Sequence, residues 1–160
     1  MKKIRLFSLM LLAFPLVFLN QACGHIELFE KTVSIPGHAW SSDFKPEFEI
    51  EISDSTSVYK LFVVLRHTEK YRFNNLFINL GIKGPGQDST LILRHELQLA
   101  TNERWLGNGI NDVYEHRIPV GLLGDTKAIT PGKYTFSLQQ IMREDPLENI
   151  LDAGIRVEKK

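Results

Sequence analysis

The sequence predicts an all-β protein, folded as a single antiparallel β-sandwich of the jelly-roll or immunoglobulin type behind an N-terminal signal peptide. About eight short segments alternate in polarity or are rich in apolar residues, and Gly, Pro, Asn or Asp bounds each of them. Beyond the N-terminal region, no stretch of about 12 residues keeps the 3.6-residue period of an amphipathic helix. Short strands at this spacing are typical of sandwiches and barrels, so a closed barrel is the alternative.

The N-terminal region has the layout of a bacterial lipoprotein signal peptide. Three cations among the first five residues precede a nearly continuous apolar run over 6–19, and the segment ends at Cys23, the only cysteine of the chain. About 14 apolar residues are too few for a membrane-spanning helix, which needs roughly 20. We therefore expect residues 1–22 to be cleaved off, leaving Cys23 with a covalent diacylglycerol and an N-acyl lipid. An ordinary secreted protein and an uncleaved anchor are the alternatives.

The mature chain is predicted to be one domain on a short tether. Residues 23–28 would form the lipidated start and the tether, and the segment from Gly24 to Leu28 spans at most about 15 to 18 Å. Residues 29–160 would form the sandwich, which is long enough for a proper core. Loss of the signal peptide cations leaves a small acidic excess, so nothing favours nucleic acid as a partner. With Cys23 acylated, no thiol is left for a disulfide.

The predicted strands differ in how strongly the sequence indicates them. Residues 47–52 alternate cleanly, with three apolar side chains on one face and three glutamates on the other. Residues 59–65 are apolar on both faces, which predicts a central strand. After the breaker Asp145-Pro146, residues 147–151 predict one helical turn. In chain order the predicted strands are residues 29–35, 47–52, 59–65, 76–82, 90–99, 114–119, 134–142 and 154–158.

The sequence contains no strong signature of catalysis or metal binding. No two of the five histidines have the i, i+2 or i, i+4 spacing that would place imidazoles side by side. Ser41 and Ser42 lie near Asp43, but no G-x-S-x-G elbow is present. The glutamates of 47–52 form the ordinary solvent face of an amphipathic strand. We therefore expect no enzymatic activity, no metal and no small-molecule substrate.

A loop rich in Gly and Asn, residues 102–112, is the most unusual surface candidate. Trp105 carries a large apolar area there and is flanked by Arg104 and Asn108. These three residues, together with Trp40, are our candidates for contact with a partner protein. The alternative is that Trp105 folds back and plugs the end of the sandwich. A sugar platform or a calcium site on this loop is a further alternative, although its spacing differs from that of an EF-hand.

Several motifs together resemble the gliding motility lipoprotein GldH family of the Bacteroidota. The resemblance implies a non-enzymatic component of the cell envelope that gliding requires. It also implies a link to the type IX secretion apparatus, with other gliding or secretion proteins of the envelope as partners. It assigns no functional residue apart from the lipid site. The motifs are Cys23, Phe29-Glu30, Trp40, Arg104-Trp105 with Gly107, Gly132-Lys133-Tyr134, residues 139–147, and Gly154-Ile155-Arg156-Val157.

The residues after Cys23 bear on the location of the protein. Lipoproteins of this phylum that are displayed on the cell surface carry an acidic cluster after the cysteine, whereas here a single Glu27 follows three uncharged or weakly basic residues. This favours the periplasmic face of the outer membrane.

Two functions of other classes remain open from the sequence. A carbohydrate-binding β-sandwich module of the envelope predicts a row of exposed aromatic side chains around Trp105 or Trp40. A hydrolase predicts a deep pocket with convergent polar groups and shifted pKa values.

Overall fold

The computed structural model describes residues 28–125 and 128–160, so Cys23 and the predicted signal peptide lie outside the described residues. The described part contains strands and one short 3₁₀ turn. In chain order the elements are β1 (Leu28–Ser34), the 3₁₀ turn (Pro36–His38), β2 (Ala39–Trp40), β3 (Glu47–Ile52), β4 (Tyr59–Thr68), β5 (Asn75–Lys83), β6 (Leu91–Gln98), β7 (Asn108–Ile110), β8 (Val113–Leu123), β9 (Gly132–Gln140), β10 (Leu147–Glu148) and β11 (Ile150–Lys159).

The strands form two main antiparallel sheets. One sheet has the order β1-β11-β4-β8-β7, the other has the order β3-β9-β5-β6, and β2 pairs with β10 beside them. Both main sheets keep two edge strands, so the structure is a sandwich and the closed-barrel alternative is wrong. The predicted all-β antiparallel sandwich is confirmed.

The core lies between the two sheets and follows the period-two pattern of the sequence. β3 alternates without exception, with Phe48, Ile50 and Ile52 buried and its glutamates exposed. β4 is the middle strand of its sheet and is also buried at Val64 on the outer face, as its apolar composition predicts. Fully burying one such aliphatic or aromatic side chain stabilises a fold by about 1.5 to 3 kcal/mol.

The predicted helical turn at residues 147–151 is wrong. Leu147 and Glu148 form β10, which pairs with Trp40 and Ala39 of β2, and β11 begins at Ile150. Five residues are too few for an isolated helix to be stable. The partner strand instead provides backbone hydrogen bonds and a buried site for the Leu147 side chain.

β6 is less buried than its sequence pattern predicts. Leu97 and Leu99 belong to the core, but Leu91 and Leu93 on the same face are 57% and 36% exposed. β6 is the free edge of its sheet. On the other sheet, β7 is only three residues long and leaves most of β8 without an outer neighbour. The exposed leucines of β6 and the part of β8 beyond β7 thus both lie at sheet edges.

A chain of ion pairs crosses the outer face of the five-stranded sheet. Glu30 accepts hydrogen bonds from Nε and Nη2 of Arg117, at 2.9 and 2.8 Å, and from Nη1 of Arg156 at 2.9 Å. The hydrogen bonds from Arg117 are the main reason that the pKa of Glu30 falls to about 2. The charges on this face are thus largely satisfied within the domain. The chain of pairs comprises Asp152, Arg66, Glu115, Arg117, Glu30, Arg156 and Glu158.

Candidate functional site

Residues 99–107, called the Trp105 loop below, connect the two sheets through a tight turn. The backbone N–H of Leu106 donates to the Leu99 carbonyl at 2.8 Å, and the N–H of Thr101 donates to the Arg104 carbonyl at 2.9 Å. The Thr101 hydroxyl accepts from the N–H groups of Glu103 and Arg104, both at 3.3 Å. A side chain that bonds the backbone two or three residues ahead is a standard way to order a turn. The loop therefore holds Trp105 in a defined position.

The Trp105 ring points inward, onto a group of aromatic and imidazole rings. Its centroid lies 4.4 Å from that of His67, 5.6 Å from that of Tyr114 and 6.3 Å from that of Tyr71. These distances are in the usual range for ring pairs in cores. With His116, which stacks on His67, these residues form the ring cluster. The alternative in which Trp105 plugs the end of the sandwich is thus the observed one.

His67 and His116 form a buried hydrogen-bonded pair inside the ring cluster. Nδ1 of His67 lies 2.7 Å from the Thr68 carbonyl oxygen, which can only accept, so Nδ1 carries the proton. Nε2 of His67 then accepts from Nε2–H of His116 across 2.9 Å. Burial lowers the pKa of both imidazoles, and that of His116 falls to about 4. Both rings are neutral at neutral pH.

Alternate residues of the Trp105 loop and β7 face the ring cluster, and the residues between them face solvent. A Cβ at Gly107 would lie 2.7 Å from Nε2 of His116, and one at Gly109 would lie 2.7 Å from Cε1 of Tyr114, so only glycine permits this close approach. The side chains between them are exposed, Leu106 by 49% and Ile110 by 74%. The exposed row, as it is called below, consists of Arg104, Leu106, Asn108 and Ile110.

The structure brings three of the four sequence-predicted contact residues together. Arg104 and Asn108 belong to the exposed row, and Trp105 lies beneath it, half-buried. The prediction that Trp40 contacts a partner is wrong. Trp40 is 0% exposed, and its indole N–H donates to the Phe44 carbonyl at 2.9 Å. A side chain without exposed surface is not available to a partner. Trp40 belongs to the core.

Sequence reasoning missed the β7–β8 hairpin and the histidine pair. Asn111 and Asp112 both have positive φ, at 48° and 63°, which matches the two-residue turn that hairpins prefer. An Asn-Asp pair between Ile110 and Val113 was the available signal. His67 continues the alternating core face of β4, but nothing in the sequence shows that β8 lies beside it.

The described residues contain neither a metal cluster nor an aromatic platform. Within 28–125 and 128–160, no three His, Cys, Asp or Glu side chains converge. Every Phe, Tyr and Trp side chain in those ranges is buried or half-buried, so the row of exposed aromatic side chains that a carbohydrate-binding module predicts around Trp40 or Trp105 is absent there. No helix in the same ranges has the length and apolarity needed to cross a membrane.

Solved structures with a related arrangement of strands are distant. A carbohydrate-binding module specific for non-crystalline cellulose aligns at a TM-score of 0.48 and 13% identity, over 82% of this chain and 73% of that one. Dimeric latent PorU from Porphyromonas gingivalis aligns at 0.40 and 10% identity, over 88% of this chain and 13% of that one. At these values the likeness carries no functional information.

The sequence comparisons are much closer. The family model of the GldH lipoprotein matches residues 27–157. The gliding motility lipoprotein GldH of Flavobacterium johnsoniae is 35% identical, and a GldH homolog of Christiangramia forsetii is 34% identical. Each alignment covers 96% of this chain and 96% of the relative. This chain therefore belongs to the GldH family of gliding motility lipoproteins.

Proposed function

We propose that this protein is a non-enzymatic part of the gliding motility machinery and its type IX secretion apparatus, held on the periplasmic face of the outer membrane by lipid and acting through protein contacts. Family membership supports the motility role, since the relatives bear that name. The signal peptide pattern ending at Cys23 supports the lipid anchor. The exposed row supports contact with a protein.

The anchor would act by raising the local concentration of the domain. Two or three acyl chains make membrane attachment effectively permanent, whereas one chain is marginal. A partner in the same membrane would then meet the domain at a high effective concentration, without any additional contact.

The observation that carries the contact proposal is the packed support beneath the exposed row. Leu106 and Ile110 expose large apolar side chains, while the alternate residues Trp105, Gly107 and Gly109 lie against rings of the cluster. A backbone segment that is already ordered by packing loses little conformational entropy when a partner covers its exposed side chains. Arg104 at the start of the row adds a residue type that is common at binding hot spots.

The lipid anchor is tested by Cys23→Ser. We expect the variant protein to leave the membrane fraction, cell spreading to stop and cell-surface adhesin to decrease, because the serine hydroxyl does not receive the diacylglycerol. His25→Ser is the matched control, since it changes a neighbouring residue and leaves the acylation site intact. Normal spreading of the Cys23→Ser strain would contradict the proposal.

The contact is tested by photocrosslinking in living cells. A photoreactive amino acid at Leu106 or Ile110 should form a discrete product that contains a gliding or type IX secretion protein of the envelope, identified by mass spectrometry. The same amino acid at Glu49 or Glu51, on exposed positions of the far edge strand β3, should not form it. Equal products from both edges, or none from the exposed row, would contradict contact through this row.

A further inference from the structure

We propose that the end of the sandwich carrying Leu28 and Leu122 rests on the bilayer, so that the exposed row points away from the membrane. This inference rests on the proposed lipid anchor at Cys23, and it specifies how the anchored domain is oriented.

The short tether keeps the start of β1 near the lipid. β1 begins at Leu28, five residues after Cys23. A fully extended chain covers at most about 3.6 Å per residue, so Leu28 lies within about 18 Å of the lipidated residue. The end of the sandwich where β1 begins is therefore the end close to the lipid.

A row of four paired residues crosses that end of the five-stranded sheet. Leu28 pairs with Glu158, Glu158 pairs with Lys60, and Lys60 pairs with Leu122. Residues paired in this way share one face of a sheet. Their neighbour Tyr59 is buried in the core, so the row lies on the outer face.

The chemistry of this row suits a lipid surface. Leu28 and Leu122 are 51% and 43% exposed at its two ends. Lys60 between them has an apolar stem that can lie along the leucines while its ammonium reaches a phosphate. Glu158 is paired with Arg156 at 3.2 Å, which reduces the cost of bringing its carboxylate near the membrane. Two leucines are too few to hold a protein on a bilayer by themselves. In an acylated domain the lipid chains provide the attachment, and the leucines need only favour one orientation.

The exposed row lies at the opposite end of the same sheet. Ile110 pairs with Val113, which pairs with Thr68 at the far end of β4. Eight residues of strand separate Thr68 from Lys60, a distance of about 27 Å at the rise of an antiparallel strand. With the Leu28 end on the bilayer, Ile110 and the Trp105 loop face the aqueous compartment, where a partner can reach them.

The orientation is tested with a fluorophore on the acylated full-length mature protein. Cys23 does not react with a maleimide once it is a thioether, so Leu122→Cys and Ile110→Cys each provide one labelling site. Both positions are exposed and lie on the same sheet, which makes them a matched pair. The labelled proteins are placed in phosphatidylcholine vesicles that contain a nitroxide-labelled phosphatidylcholine. We expect several-fold stronger quenching at Leu122 than at Ile110.

A second measurement separates docking from mere closeness to the tether. A fluorophore at Lys60→Cys should be quenched in the parent and much less in the Leu28→Ser, Leu122→Ser double variant. Equal quenching at Leu122 and Ile110, or unchanged quenching at Lys60 in the double variant, would overturn the orientation while leaving the anchor intact. If the parent protein does not bind the vesicles and its Cys23 reacts with the maleimide, both the anchor and the orientation are overturned.

Discussion

Trp40→Ala is expected to lower the free energy of unfolding by about 4 kcal/mol, which is typical of replacing a large buried aromatic side chain by alanine. Trp40 is 0% exposed, its indole N–H donates to the Phe44 carbonyl, and its strand β2 holds β10 in place. Since the free energy of unfolding of a native domain is about 5 to 15 kcal/mol, the variant should lose a large part of its stability. Urea denaturation followed by circular dichroism measures the change.

Two variants serve as controls for this result. Trp40→Phe keeps most of the ring volume and loses the hydrogen bond, so it should cost about 1 to 2 kcal/mol. Trp105→Ala removes a half-buried ring and should cost less than Trp40→Ala, while it also disturbs the support of the exposed row. A larger loss for Trp105→Ala than for Trp40→Ala would show that the wrong tryptophan has been assigned to the core.

The folded domain is expected to lose stability as the pH falls from about 6.5 to about 4. Burial lowers the pKa of His67 below its ordinary 6.5 and that of His116 to about 4. Between these pH values the unfolded chain binds more protons than the folded one, so protons favour unfolding. For His116 alone the loss amounts to about 3 kcal/mol at about 1.4 kcal/mol per pH unit. Urea denaturation at a series of pH values measures this slope.

His116→Gln should flatten the slope, because an amide can still donate to Nε2 of His67 but does not titrate. Glu30→Gln is the control variant, since Glu30 changes the pH dependence of stability at lower pH values than the histidines do. The pKa of Glu30 is lowered from 4.5 to about 2, so its contribution is present above about 4.5 and is lost as the pH falls toward 2. Glu30→Gln should therefore leave the slope between pH 6.5 and 4.5 unchanged. Equal flattening by both variants would contradict the role of the histidine pair.

The histidine pair and the exposed row have one structural basis. The Trp105 ring covers His67, and Gly107 lies against His116, so the Trp105 loop contributes to the burial of both imidazoles. The same loop holds Leu106 outward, and β7, which follows it, holds Asn108 outward. A change that opens the loop is thus expected to expose the imidazoles and to disorder the proposed contact surface together.

Part of the candidate site could be predicted from the sequence, and part could not. Trp105 and Arg104 stand out in the sequence because a large aromatic residue in a loop rich in Gly and Asn is unusual. Their opposite directions, inward and outward, depend on the hydrogen bonds of Thr101 and on the ring of His67, which comes from another strand. Leu106 and Ile110 look ordinary in the sequence. They become candidates only because the structure leaves them exposed beside a packed support.

The sequence by itself determined the all-β class, the core face of strands such as Glu47–Ile52, and the lipoprotein signal pattern, because alternation and composition are local properties. Tertiary structure alone decided that Leu147–Glu148 form β10 and that β11 begins at Ile150, that Trp40 is buried, and that His67 meets His116. Each of these depends on which strands become neighbours. Pairing between segments far apart in the chain is set by the packing of the whole core, and no local pattern specifies it.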